Sequence, residues 1–517
     1  MNSPVLPFSR RRLLTGALGL GLVAGLSGCG VGSTSVNQVA AQPFTRKLPI
    51  PSLAPSRVSD GVRVFSLKAG AGRTRILPEL DTPTWGYDGA SLGPTLRAER
   101  GEQVAVEVTN GLDVTTSVHW HGMHLPPTMD GGPHQAIPAG GRWRPSWRID
   151  QPAATLWYHP HPHGTTEEHV YRGLAGLFLI DDDASSRATL PHEYGVDDIP
   201  LIVQDKLLDR DGALRLRRDG GEPGILGEVV TTNGIAGAYL PVSTERVRLR
   251  LLNGSTARSY EFGFGDRDIQ LIATDGGFLD APLTIDRIRL APGERAELLV
   301  IMKPGEMARL RSFEVGLGGV AVPFAMGGND AFDVLELRAA ASLKPSPAPD
   351  WPRSRHADED ELHESAVTRT RAFELDERKI NGQLMDLSRI DEVVTVGSTE
   401  VWEVRSTVPM PHSFHVHDVQ FRLLTIDDAP PPEWLRGPKD TIYLEPSRRY
   451  RLLLHFADYA DPAMPYMYHC HMLWHEDEGM MGQFVVVEPG DEGAVRAPEH
   501  PGSGGTADHD HHGPGHR

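Results

Sequence analysis

An all-β chain built from three copies of one domain is what the sequence predicts, on three observations. Fifty-five glycines and forty-two prolines with only 7% aromatic residues suit many short strands and turns. Alternating strand patterns return three times along the chain, and its 517 residues equal about three domains of roughly 150 residues. A formal charge of -18 without a basic stripe disfavours a nucleic-acid partner. The two cysteines, Cys29 and Cys470, are too few for a disulfide framework, so each needs its own explanation.

Residues 9–29 read SRRRLLTGALGLGLVAGLSGC: three arginines and a glycine-diluted apolar run too short for a membrane span. This is the pattern of an export signal. Ser9, Arg10 and Arg11 with Leu13 and Leu14 resemble a twin-arginine signal, and Leu26 to Cys29 resembles a lipobox whose cysteine is acylated after cleavage. The alternative is an ordinary cut near Val39 to Ala41, which discards Cys29. Either way the mature protein is expected outside the cytoplasm, periplasmic or at the cell surface, with a lipid anchor through Cys29 in the first case. Residues 1–48 are thus signal and tether.

The repeat begins with EQVAVEVTNGL at 102–112, ERVRLRLLNGS at 245–255 and TEVWEVRST at 399–407, each with the period of two of a half-buried strand. Matching hexads follow: SVHWHG at 117, SYEFGF at 259 and HSFHVH at 412. A second pair of segments, TLWYHPHPHG at 155 and PYMYHCHMLW at 465, aligns repeats one and three. The middle repeat has Glu261 and Phe262 where the others have histidine, and reads as a structural spacer. Expected domains are 49–184, 185–338 and 373–490, with a Pro-, Ala- and charge-rich linker over 339–372 and a His-rich flexible tail over 491–517.

Ten histidines fall in four clusters: His119 and His121; His159 and His161; His412, His415 and His417; His469, His471 and His475. Residues two apart on a strand share a face, so each H-x-H aims two imidazoles at one place. Four such pairs supply eight imidazoles, more than one first-row ion accepts. A polynuclear metal centre between repeats one and three follows. Cys470, lying between His469 and His471, faces the other way, and His412 differs in parity from His415 and His417, so it turns to the cysteine side. With His475 and Met480 nearby, two imidazoles, a thiolate and a weak thioether make a blue-copper electron-transfer set.

The segments HWHG at 119, WYHPH at 157, HSFHVH at 412 and HCHMLWHEDEGMM at 469 closely resemble the four copper motifs of the multicopper oxidase family, over residues 90–490. The resemblance implies three cupredoxin-like Greek-key β-barrels and four coppers per chain. His412, Cys470, His475 and Met480 would hold the type 1 copper, and His119 and His415 the type 2 copper. His121, His159, His161, His417, His469 and His471 would hold the type 3 pair. The implied activity is one-electron oxidation of a donor, electron transfer through Cys470 to the trinuclear cluster, and four-electron reduction of dioxygen to water. Asp130 and Glu476 match the family's acidic positions near that cluster and would supply protons.

The partners expected are dioxygen and a phenolic or similar small reducing donor. No methionine occurs between Met326 and Met385, where a copper-efflux oxidase has a methionine-rich cover, so a type 1 site open to bulky donors is expected, with His412 or His475 at the donor-facing surface. Met410 would touch a soft metal ion or simply pack. The alternative within the same chemistry is Cu(I) oxidation for copper tolerance. The alternative outside it is a copper-free structural protein, since the family includes division-associated members that lack ligands. Asp418 would tune the cluster or bond backbone, and His124, His134, His163 and His169 read as supporting or surface residues.

Overall fold

A computed structural model describes residues 42–216, 223–265, 267–351 and 362–498, and the backbone of 37–38. Cys29, the export signal and the His-rich end of the tail lie outside the described residues. Among the described residues no helix is long and apolar enough to cross a membrane.

The strands pair into three two-sheet domains, each closed over its own core. In the first domain the alternating strand Gln103–Asn110 lies parallel to Val62–Thr74. Its facing sheet runs Leu96–Glu99, Gly176–Asp181, Ala154–His159, His119–His121. The middle domain repeats the plan around Arg246–Asn253 and Arg295–Ile301, and the third around Ser398–Ser406 and Arg449–Phe456. Inward residues of each alternation fill the three cores: Val104, Val106 and Val108; Val247, Leu249 and Leu251; Trp402 and Val404. This mixture of parallel and antiparallel neighbours within paired sheets is the Greek-key sandwich the repeats predict.

Two expectations need correction. The strand Asp330–Lys344 runs six residues into the expected linker, and Val367–Asp376 begins inside it. The linker 339–372 is therefore shorter at both ends, and Trp351 within it is tied down by donating Nε1–H to the Leu279 carbonyl at 2.9 Å. The tether is not free either. Arg46–Lys47 pairs in parallel with Ala238–Thr244, Asn37–Gln38 pairs with Asp330–Lys344, and Leu48 joins the middle core. Unpaired edges of the middle sheet capture these residues, satisfying backbone groups that would otherwise face solvent.

Candidate metal centre

Strand register decides where the histidines point. In the first domain His119–His121 runs antiparallel to Ala154–His159, with His119 opposite His159. In the third, His412–Val416 runs antiparallel to Tyr466–Cys470, with His415 opposite His469 and Phe414 opposite Cys470. Alternation sends Trp120, Tyr158, Phe414 and Cys470 into the cores and the histidines out of the opposite faces.

Those faces meet. The His119 ring stacks on His417 with centroids 3.8 Å apart, His121 stacks on His415 at 3.7 Å, and Nε2 of His161 lies 3.2 Å from Nε2 of His469. His159 and His471 complete the ring at a centroid separation of 5.3 Å. All eight are buried between domains one and three.

Five of the rings are held through their outer nitrogens. Nδ1–H of His119 donates to the Asp130 carbonyl at 3.0 Å, His415 to the Asp440 carbonyl at 2.9 Å, and His417 to the Asp130 carboxylate at 2.7 Å. His159 donates to the Pro160 carbonyl at 2.8 Å and His469 to the Cys470 carbonyl at 3.2 Å. Each bond leaves Nε2 as the free lone pair. His121 is reversed: Nε2–H donates to Asp440 Oδ1 at 3.0 Å, and Nδ1 faces inward, 3.3 Å from His159 Nε2.

Nε2 of His119, Nε2 of His415 and both nitrogens of His471 are buried without a hydrogen-bond partner. An orphaned buried polar atom costs about 1–3 kcal/mol, so several converging on one place fit a site shaped for cations. Burial, reinforced by neighbouring imidazoles, pushes His121, His159, His415 and His417 well below the ordinary histidine pKa, and His161 down to about 3. Neutral imidazole is the metal-binding form.

Behind the strand, Cys470 Sγ lies 3.6 Å from Nδ1 of both His412 and His475, which are 3.2 Å from each other. The short helix Leu473–Asp477 brings His475 round to this side. Met480 is buried and tied to both: its N–H donates to the His475 carbonyl at 2.9 Å, and its carbonyl accepts from the Cys470 N–H at 3.1 Å. A cysteine sulfur and two imidazoles, with a methionine bonded to them through its backbone, suit copper.

Three profiles of the multicopper oxidase family match residues 69–185, 232–307 and 355–490. The chain belongs to the multicopper oxidase family. A multicopper oxidase of Staphylococcus haemolyticus is 35% identical over 443 residues, 84% of this chain and 92% of that protein. The cell division protein FtsP of Dickeya dadantii is 36% identical over 447 residues, 85% of this chain and 92% of that one. A solved laccase-like multicopper oxidase from Ochrobactrum sp., described as having oxidase activity towards lignin model compounds and lignosulfonate, superposes with a TM-score of 0.76 at 35% identity, covering 85% of this chain and 100% of that chain.

Membership in the multicopper oxidase family implies copper binding. The two acids singled out in the sequence sit against the backs of the histidine rings. Asp130 bridges His119 and His417, and Glu476 lies 3.4 Å from His161 Nδ1 and 3.2 Å from His469 Nδ1. Burial alone would raise the Glu476 carboxyl, but the adjoining His161 and His469 rings outweigh it and hold it below the usual range.

Asp418 neither enters the cluster nor bonds backbone through its side chain. At φ +69°, a conformation aspartate tolerates, it accepts from His124 Nδ1 at 2.8 Å, while His124 Nε2 lies 2.9 Å from Asp458 Oδ1. His124 is thus an imidazolium clamped between two carboxylates, which raise its pKa against the opposing effect of burial. His169 is buried against Trp85 and Thr116, and His134 bonds Gln483.

Two further expectations fail. Phe262 does not occupy a histidine position: it sits in the core as Trp120 and Phe414 do. Glu261 and Gly263 hold the outward places of His119 and His121. Neither His412 nor His475 reaches the surface, both being 0% exposed. Half-buried Trp474 lies beside His475 with ring centroids 5.8 Å apart, and Leu384, 46% exposed, packs on Gly479 while the Met385 N–H donates to the Gly479 carbonyl at 2.9 Å. Asp440 and Arg295, both at the centre, carry no local signal in the sequence; only the Lys439-Asp440 step precedes a strand, Thr441–Leu444.

Proposed function

We propose that this chain is an exported copper oxidase that takes single electrons from phenolic or similar organic donors and reduces dioxygen to water. The observation that carries the reading is that one short segment, His469-Cys470-His471, supplies both sites: the thiolate behind the strand and two imidazoles in front of it. His412, Cys470, His475 and Met480 would hold a type 1 copper. His119 and His415 would hold a type 2 copper, and the remaining six histidines a type 3 pair. Copper bound there supplies one-electron acceptance at the thiolate and multi-electron reduction of dioxygen at the histidine cluster.

The chain's own part is to position, exclude and deliver. The backbone carbonyls and Asp130 fix ring orientation, so the lone pairs converge before metal arrives. Burial of all eight rings keeps water from competing. Asp130 and Glu476, each in contact with two rings, are the groups placed to pass protons toward the cluster. With His412 and His475 both buried, a donor passes its electron through the protein around them, Trp474 beside His475 included, rather than by direct contact with a ligand ring.

The reading is tested by steady-state turnover of copper-loaded protein with 2,6-dimethoxyphenol and no added copper, beside Cu(I). Phenol turnover without added copper supports it. Turnover that appears only with excess Cu(II), with Cu(I) the much faster substrate, favours a cuprous oxidase. Protein that takes up no copper favours the structural role suggested by the cell division relatives. The same metal analysis on a secreted fraction tests export.

A further inference from the structure

The middle domain holds none of the cluster histidines, yet it reaches the centre. Arg295, on the strand Arg295–Ile301, forms a two-pronged pair with Asp440 of the third domain, Nη1 to Oδ1 at 2.7 Å and Nη2 to Oδ2 at 2.6 Å. Asp440 Oδ1 in turn accepts from His121 Nε2 of the first domain at 3.0 Å, and Thr441 Oγ1, which donates to Asp440 Oδ1 at 2.8 Å, faces the same nitrogen at 3.0 Å. All three side chains are 0% exposed.

The guanidinium is itself fixed: Nε donates to the Thr155 carbonyl at 3.0 Å, Nη2 donates to the Asp275 carbonyl at 2.9 Å, and the Arg295 N–H donates to Asp275 Oδ1 at 2.7 Å. Lys439 pairs with Asp275 at 2.9 Å and Glu294 at 3.0 Å, so opposite charges surround the pair. Room for it depends on Gly122, at φ +83°, where a Cβ would stand 2.5 Å from Asp440 Oδ2 and 2.8 Å from Arg295 Nη2.

The consequence is visible at His121. Five of its companions turn Nδ1 outward to an oxygen acceptor and Nε2 inward, whereas His121 alone among these hydrogen-bonded rings is turned the other way. We propose that Asp440, braced by Arg295, is a positioning residue that holds His121 with Nδ1 toward the cluster, so that the ligand-free middle domain sets one corner of the metal centre. This rests on the reading of His121 as a copper ligand. A backbone carbonyl could accept the same proton, but only a carboxylate gripped from a third domain makes the orientation conditional on all three domains being docked.

The test removes both charges together, because a lone buried arginine or aspartate would threaten folding whereas apolar replacement of a buried pair is often tolerated. In full-length protein, Arg295→Met with Asp440→Leu should keep the blue band of the Cys470 site while copper affinity at the histidine cluster falls about 10–100-fold and its spectroscopic signature changes. Arg295→Lys, which keeps the charge and loses the fork, should weaken the cluster less and gives the answer if the double variant does not fold. Wild-type cluster affinity and spectrum in both variants, or in Arg295→Lys alone, would overturn the inference. Wild-type protein that binds no copper would instead overturn the functional reading beneath it.

Discussion

The strands His119–His121, Tyr260–Gly263 and His412–Val416, with the residues flanking them, occupy the same place in the three domains, and they differ in kind on one face only. Inward, Val118 and Trp120, Tyr260 and Phe262, and Phe414 and Val416 are all buried in their own cores. Outward, the first and third carry histidine pairs, and the middle carries Glu261, set opposite Arg289 across the sheet, and Gly263. One face of a strand makes the domain and the other makes the function, and alternation lets each change without the other. The middle domain has a carboxylate and a glycine on that face and contributes to the centre through Arg295 instead.

The comparison breaks most visibly at the one residue that serves both sides. Cys470→Ser should abolish the blue band and donor-driven turnover altogether, with the histidine-cluster coppers still present by metal analysis; surviving turnover would mean electrons enter by another route. Next come the acids behind the rings. Asp130→Asn and Glu476→Gln should keep copper content and lower dioxygen reduction by about 10²-fold or more, in the range of a lost positioned proton donor. Wild-type oxygen consumption in both would leave these acids a purely orienting role.

Acid stability sharpens the contrast between the faces. The cluster histidines have folded pKa values pushed below the unfolded value near 6.5, so the unfolded chain binds more protons in that window. Their neutral burial is compatible with full stability above pH 6.5 and costs stability as pH falls toward the folded values, for His161 about 3. Metal-free protein should therefore lose thermal stability progressively below pH 6.5, and copper should shift that loss to lower pH. A flat profile in the metal-free protein would contradict the neutral, preorganised cluster. The smallest expected effect on the centre comes from the middle core: Phe262→Ala should destabilise by about 3–5 kcal/mol in denaturant titration while leaving copper stoichiometry unchanged.

Most of this architecture was legible in the sequence because its signals are periodic and local. The three alternations and the H-x-H pairs fall within a few residues, and parity alone puts Cys470 and His412 behind the strand that carries His469 and His471. What was not legible is long-range or unpatterned. Asp440 and Arg295 act on His121 from two other domains, and neither spacing nor composition marks them. The end of Asp330–Lys344 is largely exposed, so it lacks the alternation that announces a strand, and Arg46–Lys47 is a strand only because an edge accepts it. Phe262 lies one residue out of step with the histidine positions, and in a strand one residue exchanges the two faces.

The outward face of this strand is needed for a domain to build the centre. Copper analysis after anaerobic loading, with wild type beside the variant His119→Glu and His121→Gly, tests it directly, since the variant gives the first domain the outward face of the middle one. The account predicts about four coppers per chain in wild type, about one in the variant, and the same blue band and circular dichroism in both. Equal copper in the two proteins, or none in wild type, would contradict it.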